Sequence, residues 1–149
     1  MQHRAAESLS ASMYEQCLGN RVARLHRVIA RRFDQALRPL GLSLPQIEVL
    51  AVLMMRGSVA PAVIADALAI ERSTVSRNVS LLERNGWVEI DAAPSGRTRT
   101  VSITIQGMDK LGSADLAWAE AQAAVTDTLG SDAIATLDEW LDRLIFNGN

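Results

Sequence analysis

Residues 70–79 read Ile70-Glu71-Arg72-Ser73-Thr74-Val75-Ser76-Arg77-Asn78-Val79, and this stretch decides the fold. Val75, Val79 and Leu82 recur at helical spacing, which predicts a helix with an apolar back. Its first turns are crowded with Arg, Ser, Thr and Asn, side chains that bond phosphates and base edges. Asn85-Gly86-Trp87 ends it, Gly86 supplying a left-handed exit. Upstream, Pro61 suits the first position of a shorter helix running to about Leu68, and 69–72 form the turn between the two. Downstream, Trp87-Val88-Glu89-Ile90 alternates as a strand, Asp91 to Gly96 turn, and Thr100 to Thr104 return as its partner. The hairpin tip reads Pro94-Ser95-Gly96-Arg97-Thr98-Arg99. Helix, turn, helix and basic hairpin in this order predict a winged helix-turn-helix DNA-binding lobe over residues 43–104.

The candidate DNA contacts are Arg72, Ser73, Thr74, Ser76, Arg77 and Asn78 on the second helix, with Arg97 and Arg99 on the hairpin. Arg77 has the fork that matches guanine and Asn78 the amide that matches adenine, contacts worth roughly 1–3 kcal/mol each. The hydroxyls and the helix N-terminus suit a phosphate. Arg97 and Arg99 suit a narrow minor groove. The plainer alternatives are a solvated polar helix face and a hairpin whose charges only aid solubility.

Outside the lobe, Leu18, Val22, Leu25, Ile29, Phe33 and Leu37 recur every three or four positions, which predicts one helix from about Tyr14 to Leu40. Residues 1–13 lack a strong pattern and are expected to form a loose arm. Ser43-Leu44-Pro45-Gln46 reads as a capping box, with Leu42 and Ile47 placed as a hydrophobic staple. The helix they open runs to about Arg56, and its all-round apolar face predicts burial. Ser58-Val59-Ala60 is short enough for an edge strand. After the hairpin, one helix is expected from about Gln106 to Leu129 and another from Asp132 to about Phe146. Ile134, Leu137, Trp140, Leu141, Leu144 and Ile145 form a stripe too wide for a short helix to bury alone. With Leu18, Val22 and Leu25, that stripe predicts a homodimer. The expected fold class is therefore mainly α with a small β-hairpin wing. It forms one domain over 1–149, in which 14–40 and 106–146 are dimerisation helices.

Composition sets the outer bounds. The longest apolar run, Val49 to Met55, is far short of the ~20 residues a membrane span needs. No basic-then-apolar leader opens the sequence, so a cytoplasmic location is expected. A net charge of −2 hides a split. Residues 109–149 carry eight acids and two bases, a balance of −6, while the other 108 residues carry thirteen bases and nine acids, a balance of +4. Fourteen of the fifteen bases are Arg, the side chain whose fork matches phosphate and guanine. No nucleophile–base–acid set, Gly-rich phosphate loop or zinc spacing is present, so no catalytic residues, metal or cofactor are expected.

Cys17 is the single thiol. Arg21 lies one turn further on, a neighbour that would suit a redox-sensing thiol; inert packing beside the apolar stripe is the commoner role of such a cysteine. Tyr14, His26, Trp87, Trp118 and Trp140 are candidates for a ligand cavity, although aromatics at such positions more often serve as core.

These motifs resemble the multiple-antibiotic-resistance-regulator (MarR) family of bacterial transcription factors over roughly residues 15–146. The resemblance rests on Gly41-Leu42-Ser43 with Gln46, on Arg72-Ser73-Thr74-Val75-Ser76-Arg77, and on Leu82-Glu83-Arg84-Asn85-Gly86-Trp87-Val88. It continues through Gly96-Arg97-x-Arg99, Ser102-Ile103-Thr104 and Gly107. It implies an obligate homodimer with intertwined terminal helices and two lobes on a pseudo-palindromic double-stranded operator. It further implies repression, less often activation, relieved by a small-molecule effector or by oxidation. Two positions depart from the family pattern: Ser95 stands where an acid commonly precedes Gly-Arg, and Ala60-Pro61-Ala62 lacks the usual polar cap. Cys17 sits near the sensing cysteine of the organic-hydroperoxide branch, but Tyr14 is the only tyrosine available to bond it. The leading expectation is a ligand-released dimeric repressor. The alternatives are a thiol switch at Cys17 and a winged-helix protein-interaction module that binds no DNA.

Overall fold

The computed structural model describes residues 2–92 and 99–146. Its contacts divide the chain into two compact units, residues 1–32 and 33–149.

The first unit holds α1 (Gln2–Glu15) and most of α2 (Leu18–Leu37). The expected loose arm is therefore a helix. Ala5, Ala6, Glu7, Leu9, Ala11 and Met13 are strong helix formers even without a periodic apolar face. An i,i+4 contact between His3 and Glu7 at 3.2 Å lies on this helix. No α1 residue is buried, which is why periodicity did not reveal it. The single helix expected from Tyr14 is also corrected: the chain breaks at Gln16–Cys17, beside the weak helix formers Gly19 and Asn20. The Arg21 guanidinium donates back across this break to the Glu15 carbonyl.

In the second unit, α2 ends at Leu37 and passes through a 3-10 turn, Arg38–Leu40, to Gly41 in the left-handed region at φ 67°. Next comes α3 (Leu44–Arg56). The Ser43 N–H donates to Gln46 Oε1 at 2.9 Å, and the Leu44 N–H donates to Asp34 Oδ1 at 2.7 Å. The carboxylate that satisfies the start of α3 thus comes from α2, ten residues earlier. Leu42 and Ile47 are both buried, as a hydrophobic staple requires.

The predicted all-round burial of α3 is corrected. Val49, Leu50 and Leu53 are fully buried on one face, whereas Ala51, Met54 and Met55 lie on the opposite face and are exposed. Against the buried face pack α4 (Pro61–Leu68) and α5 (Arg72–Arg84). A two-stranded antiparallel hairpin, β1 (Val88–Ala92) and β2 (Arg99–Ile103), completes the lobe in the register Val88↔Ile103 and Ile90↔Val101. Val59 adds the expected edge contact: its N–H donates to the Val101 carbonyl at 3.1 Å and its carbonyl accepts from Val101 N–H at 2.8 Å. One continuous core results, from Val49, Leu50, Leu53, Ile64, Ala65, Val75, Val79, Leu82, Val88 and Val101.

Three helices follow: α6 (Ile105–Ser113), α7 (Asp115–Leu129) and α8 (Ala133–Phe146). The one helix expected over 106–129 is thus two. Gly112 and Ser113 weaken the helix, and the Ser113 hydroxyl donates to the Lys110 carbonyl at 2.7 Å, in competition with the regular ladder. The Ala114 N–H accordingly bonds Leu111, three residues back, at 3.0 Å. Trp118 of α7 tilts against the buried Phe33 at the end of α2, with ring centroids 6.4 Å apart. No single described helix is long and apolar enough to cross a membrane.

Candidate nucleic-acid interface

Two helices and a tight turn create the candidate surface. Pro61 fills the first position of α4, where its missing N–H is not needed. Ala69 then adopts the left-handed region at φ 51°, the only described non-glycine residue to do so, and reverses the chain toward α5. Glu71 occupies the N-cap of α5 without a side-chain cap bond, so the first N–H groups of the helix bond only the Glu71 carbonyl, from Thr74 at 3.0 Å and Val75 at 3.2 Å. The N–H groups of Arg72 and Ser73 precede the first of these bonds and have no helical acceptor, the arrangement that favours an anion.

On α5, Val75, Val79 and Leu82 are buried and fix the rotation of the helix. A period of 3.6 then turns Ser73, Arg77, Ser80 and Arg84 outward as one row. All four are exposed. Arg72 and Ser76 are also exposed, while Thr74 and Asn78 are half-buried along the edges of the row. Ser76, Arg77, Asn78, Ser80, Leu81 and Arg84 border an open cleft of about 400 Å³. The Arg77 guanidinium donates to Thr74 Oγ1 at 3.2 Å, so the side chain is tethered along the row. Among the described residues, none of Arg72, Arg77, Arg84 and Arg99 is in an ion pair with a carboxylate.

Ser80 and Arg84 were missed by reading only the first turns of the helix. Their signal was present in the sequence as the i+3 and i+7 positions after Arg77. Of the two hairpin arginines, Arg99 opens β2 opposite Ala92 and is exposed; Arg97 lies outside the described residues.

The exit from α5 is closely held. Gly86 takes φ 73°, and the Trp87 N–H returns to the Leu82 carbonyl at 2.9 Å. Trp87 and Trp118 are each committed to packing, Trp118 against Phe33 and Trp87 beneath Lys110.

The terminal helices carry the predicted apolar stripes. Ile134, Trp140, Leu141 and Leu144 are exposed, Leu144 at 73%, and Leu137 is half-buried. Leu18 and Val22 of α2 are exposed and Leu25 is half-buried. Cys17 is half-buried at the break between α1 and α2, where its carbonyl accepts from the Arg21 N–H at 3.2 Å.

Known proteins share this lobe. A sequence model of the MarR family matches residues 40–98. YwoH of Bacillus subtilis (strain 168), named an uncharacterized HTH-type transcriptional regulator, is 33% identical over 84 residues. That alignment takes in 56% of this chain and 61% of YwoH, so the match spans less than two thirds of its length. The crystal structure of the M. tuberculosis transcriptional regulator MosR in complex with DNA is similar with a TM-score of 0.72 and 29% identity, covering 85% of this chain and 97% of that one. A mutant MarR from E. coli complexed with operator DNA reaches a TM-score of 0.77 at 22% identity, covering 89% and 96% of the two chains, which shows a shared fold.

Proposed function

We propose that the chain is a member of the MarR family, whose sequence model matches residues 40–98, and that it is a cytoplasmic, dimeric, sequence-specific DNA-binding transcriptional regulator, a repressor released by a small-molecule effector. The observation that carries this reading is the outward row Ser73, Arg77, Ser80 and Arg84 on a helix whose back is buried. A helix about 20 Å long with a polar face whose arginines pair with no carboxylate among the described residues fits the major groove. The MosR complex supports DNA as the ligand of this face, since it joins a similar chain to DNA.

In this proposal residues 43–104 read DNA, and the helices within 14–40 and 106–146 join two copies. Arg72, Ser73, Thr74 and Ser76 hold the backbone, Arg77 and Asn78 read bases, and Arg99, with Arg97, reaches the neighbouring groove. Leu18, Val22 and Leu25 with Ile134, Leu137, Trp140, Leu141 and Leu144 form the dimer seam. Two lobes then face half-sites about one helical turn apart. The effector releases DNA only if it binds one lobe separation better than the other, because equal affinity shifts nothing.

Selection of duplexes from a random pool by the purified protein tests the reading. Enrichment of one inverted repeat is expected; a pool that stays random after several rounds contradicts it. If release is instead oxidative, a Cys17→Ser variant will hold the selected duplex under peroxide while the wild type lets go.

A further inference from the structure

We infer that Lys110 is a positioning residue that fixes the angle between the recognition helix α5 and helix α6, and thereby the half-site spacing the protein accepts. The inference rests on the dimeric DNA-reading function proposed above.

The start of α6 is held closely against Gly86 and Trp87, the residues through which the chain leaves α5. Thr104, Gly107 and Lys110 stand three residues apart, the first capping α6 and the others following on one face of it. The Thr104 hydroxyl donates to the Gly86 carbonyl at 2.7 Å, and the Thr104 N–H donates to the Trp87 carbonyl at 3.1 Å. Thr104 Oγ1 also accepts from the Gly107 N–H at 3.0 Å, which caps α6. Gly107 lies so near that a Cβ there would come within 2.0 Å of the Trp87 carbonyl oxygen. Lys110, the only lysine in the chain, places its ammonium 5.1 Å from the centroid of the Trp87 ring. The same ammonium donates to the Leu40 carbonyl in the 3-10 turn after α2.

One cation therefore ties three segments: the exit of α5, the first turns of α6 and the end of the α2 turn. Thr104 and Gly107 fix how closely α6 approaches Trp87, but they act at one end of α6. Lys110 adds a second point, six residues beyond Thr104 and nearly one turn beyond Gly107, and its bond to the Leu40 carbonyl reaches a segment that the first two do not touch, which is what an angle needs. The Trp87 backbone is joined to α5 through its N–H bond to the Leu82 carbonyl, so the residue whose ring Lys110 covers is itself anchored to the recognition helix. In a dimer the same angle occurs twice and sets the separation of the two recognition helices. Adding one base pair between half-sites moves them by about 3.4 Å and a tenth of a turn, a mismatch that only a stiff joint refuses.

The test uses the duplex selected by the wild-type protein, versions of it with one base pair added or removed between half-sites, and a single half-site. Lys110→Met keeps the aliphatic stem but loses both the ring contact and the carbonyl contact; Lys110→Arg keeps a cation over the ring. The wild type is expected to lose roughly tenfold or more in affinity per added or removed base pair. Lys110→Met is expected to lose less than about threefold, with unchanged affinity for the single half-site and an unchanged thermal midpoint, and Lys110→Arg to restore the wild-type penalty. Full spacing discrimination by Lys110→Met overturns the inference while leaving DNA reading intact. A wild type that selects no duplex removes the function on which the inference rests, so the two failures are distinct.

Discussion

Arg77 illustrates how a single side chain acquires a fixed direction. Exposed arginine has about 2 kcal/mol of rotamer entropy to lose on binding. The bond from its guanidinium to Thr74 Oγ1 at 3.2 Å restrains it before DNA arrives. Arg77→Ala is expected to relax base preference at one operator position by about 1–3 kcal/mol. Thr74→Val should reduce that preference roughly tenfold, beyond the uniform loss on a scrambled duplex that a missing backbone contact brings, and Thr74→Ser should restore it. Competition binding against duplexes altered at that position measures both effects; a Thr74→Val protein with undiminished preference would show that the tether is incidental. At position 107 sterics require glycine. Alanine there must displace the Trp87 carbonyl, so Gly107→Ala is expected to destabilise the lobe by at least about 2 kcal/mol, read as a lowered denaturation midpoint.

The elements divide by how each is stabilised. Helices α3, α4 and α5 and the hairpin were legible because a buried apolar face imposes a period, and Pro61, Gly86 and Ser43 mark their ends. The helix α1 was not legible, since it buries nothing and leaves no periodic mark; propensity alone forms it. The break at Ala114 was hidden because Gly112 and Ser113 interrupt an otherwise helical composition without a proline. In the candidate site, the bases and hydroxyls of the first turns of α5 could be read directly. Ser80 and Arg84 required the rotation of the helix, which only the burial of Val75, Val79 and Leu82 establishes. The Asp34 cap on α3 was invisible because it joins residues ten apart across a turn. Replacing it, as in Asp34→Ala, should lower stability by about 1 kcal/mol in denaturant titration. Arg84→Ala should weaken binding to all duplexes alike and flatten the salt dependence by about one unit if this arginine meets a phosphate.

At the scale of the whole molecule, charge and apolar surface are segregated. Residues 109–149 carry a balance of −6 and residues 1–42 one of +4, while the reading lobe, residues 43–104, carries six bases and six acids, so placement of its arginines on one face, not net charge, favours DNA. Helix α8 buries no residue, and Leu141, Leu144, Ile145 and Phe146 are all exposed. We propose that this exposed apolar face is the dimer seam. A Leu141→Asp, Leu144→Asp double variant is expected to sediment as a monomer and to lose most of its affinity for a two-half-site duplex; a dimer of unchanged stability would place the seam elsewhere. The central claim is that the outward face of α5 reads sequence. Fluorescence anisotropy of the purified protein against the DNA upstream of its own gene and a scrambled control, at two salt concentrations, tests it most directly. A preference of roughly a hundredfold or more that survives physiological salt is predicted. Equal binding to both duplexes that collapses together as salt rises, or no binding to either, would contradict it.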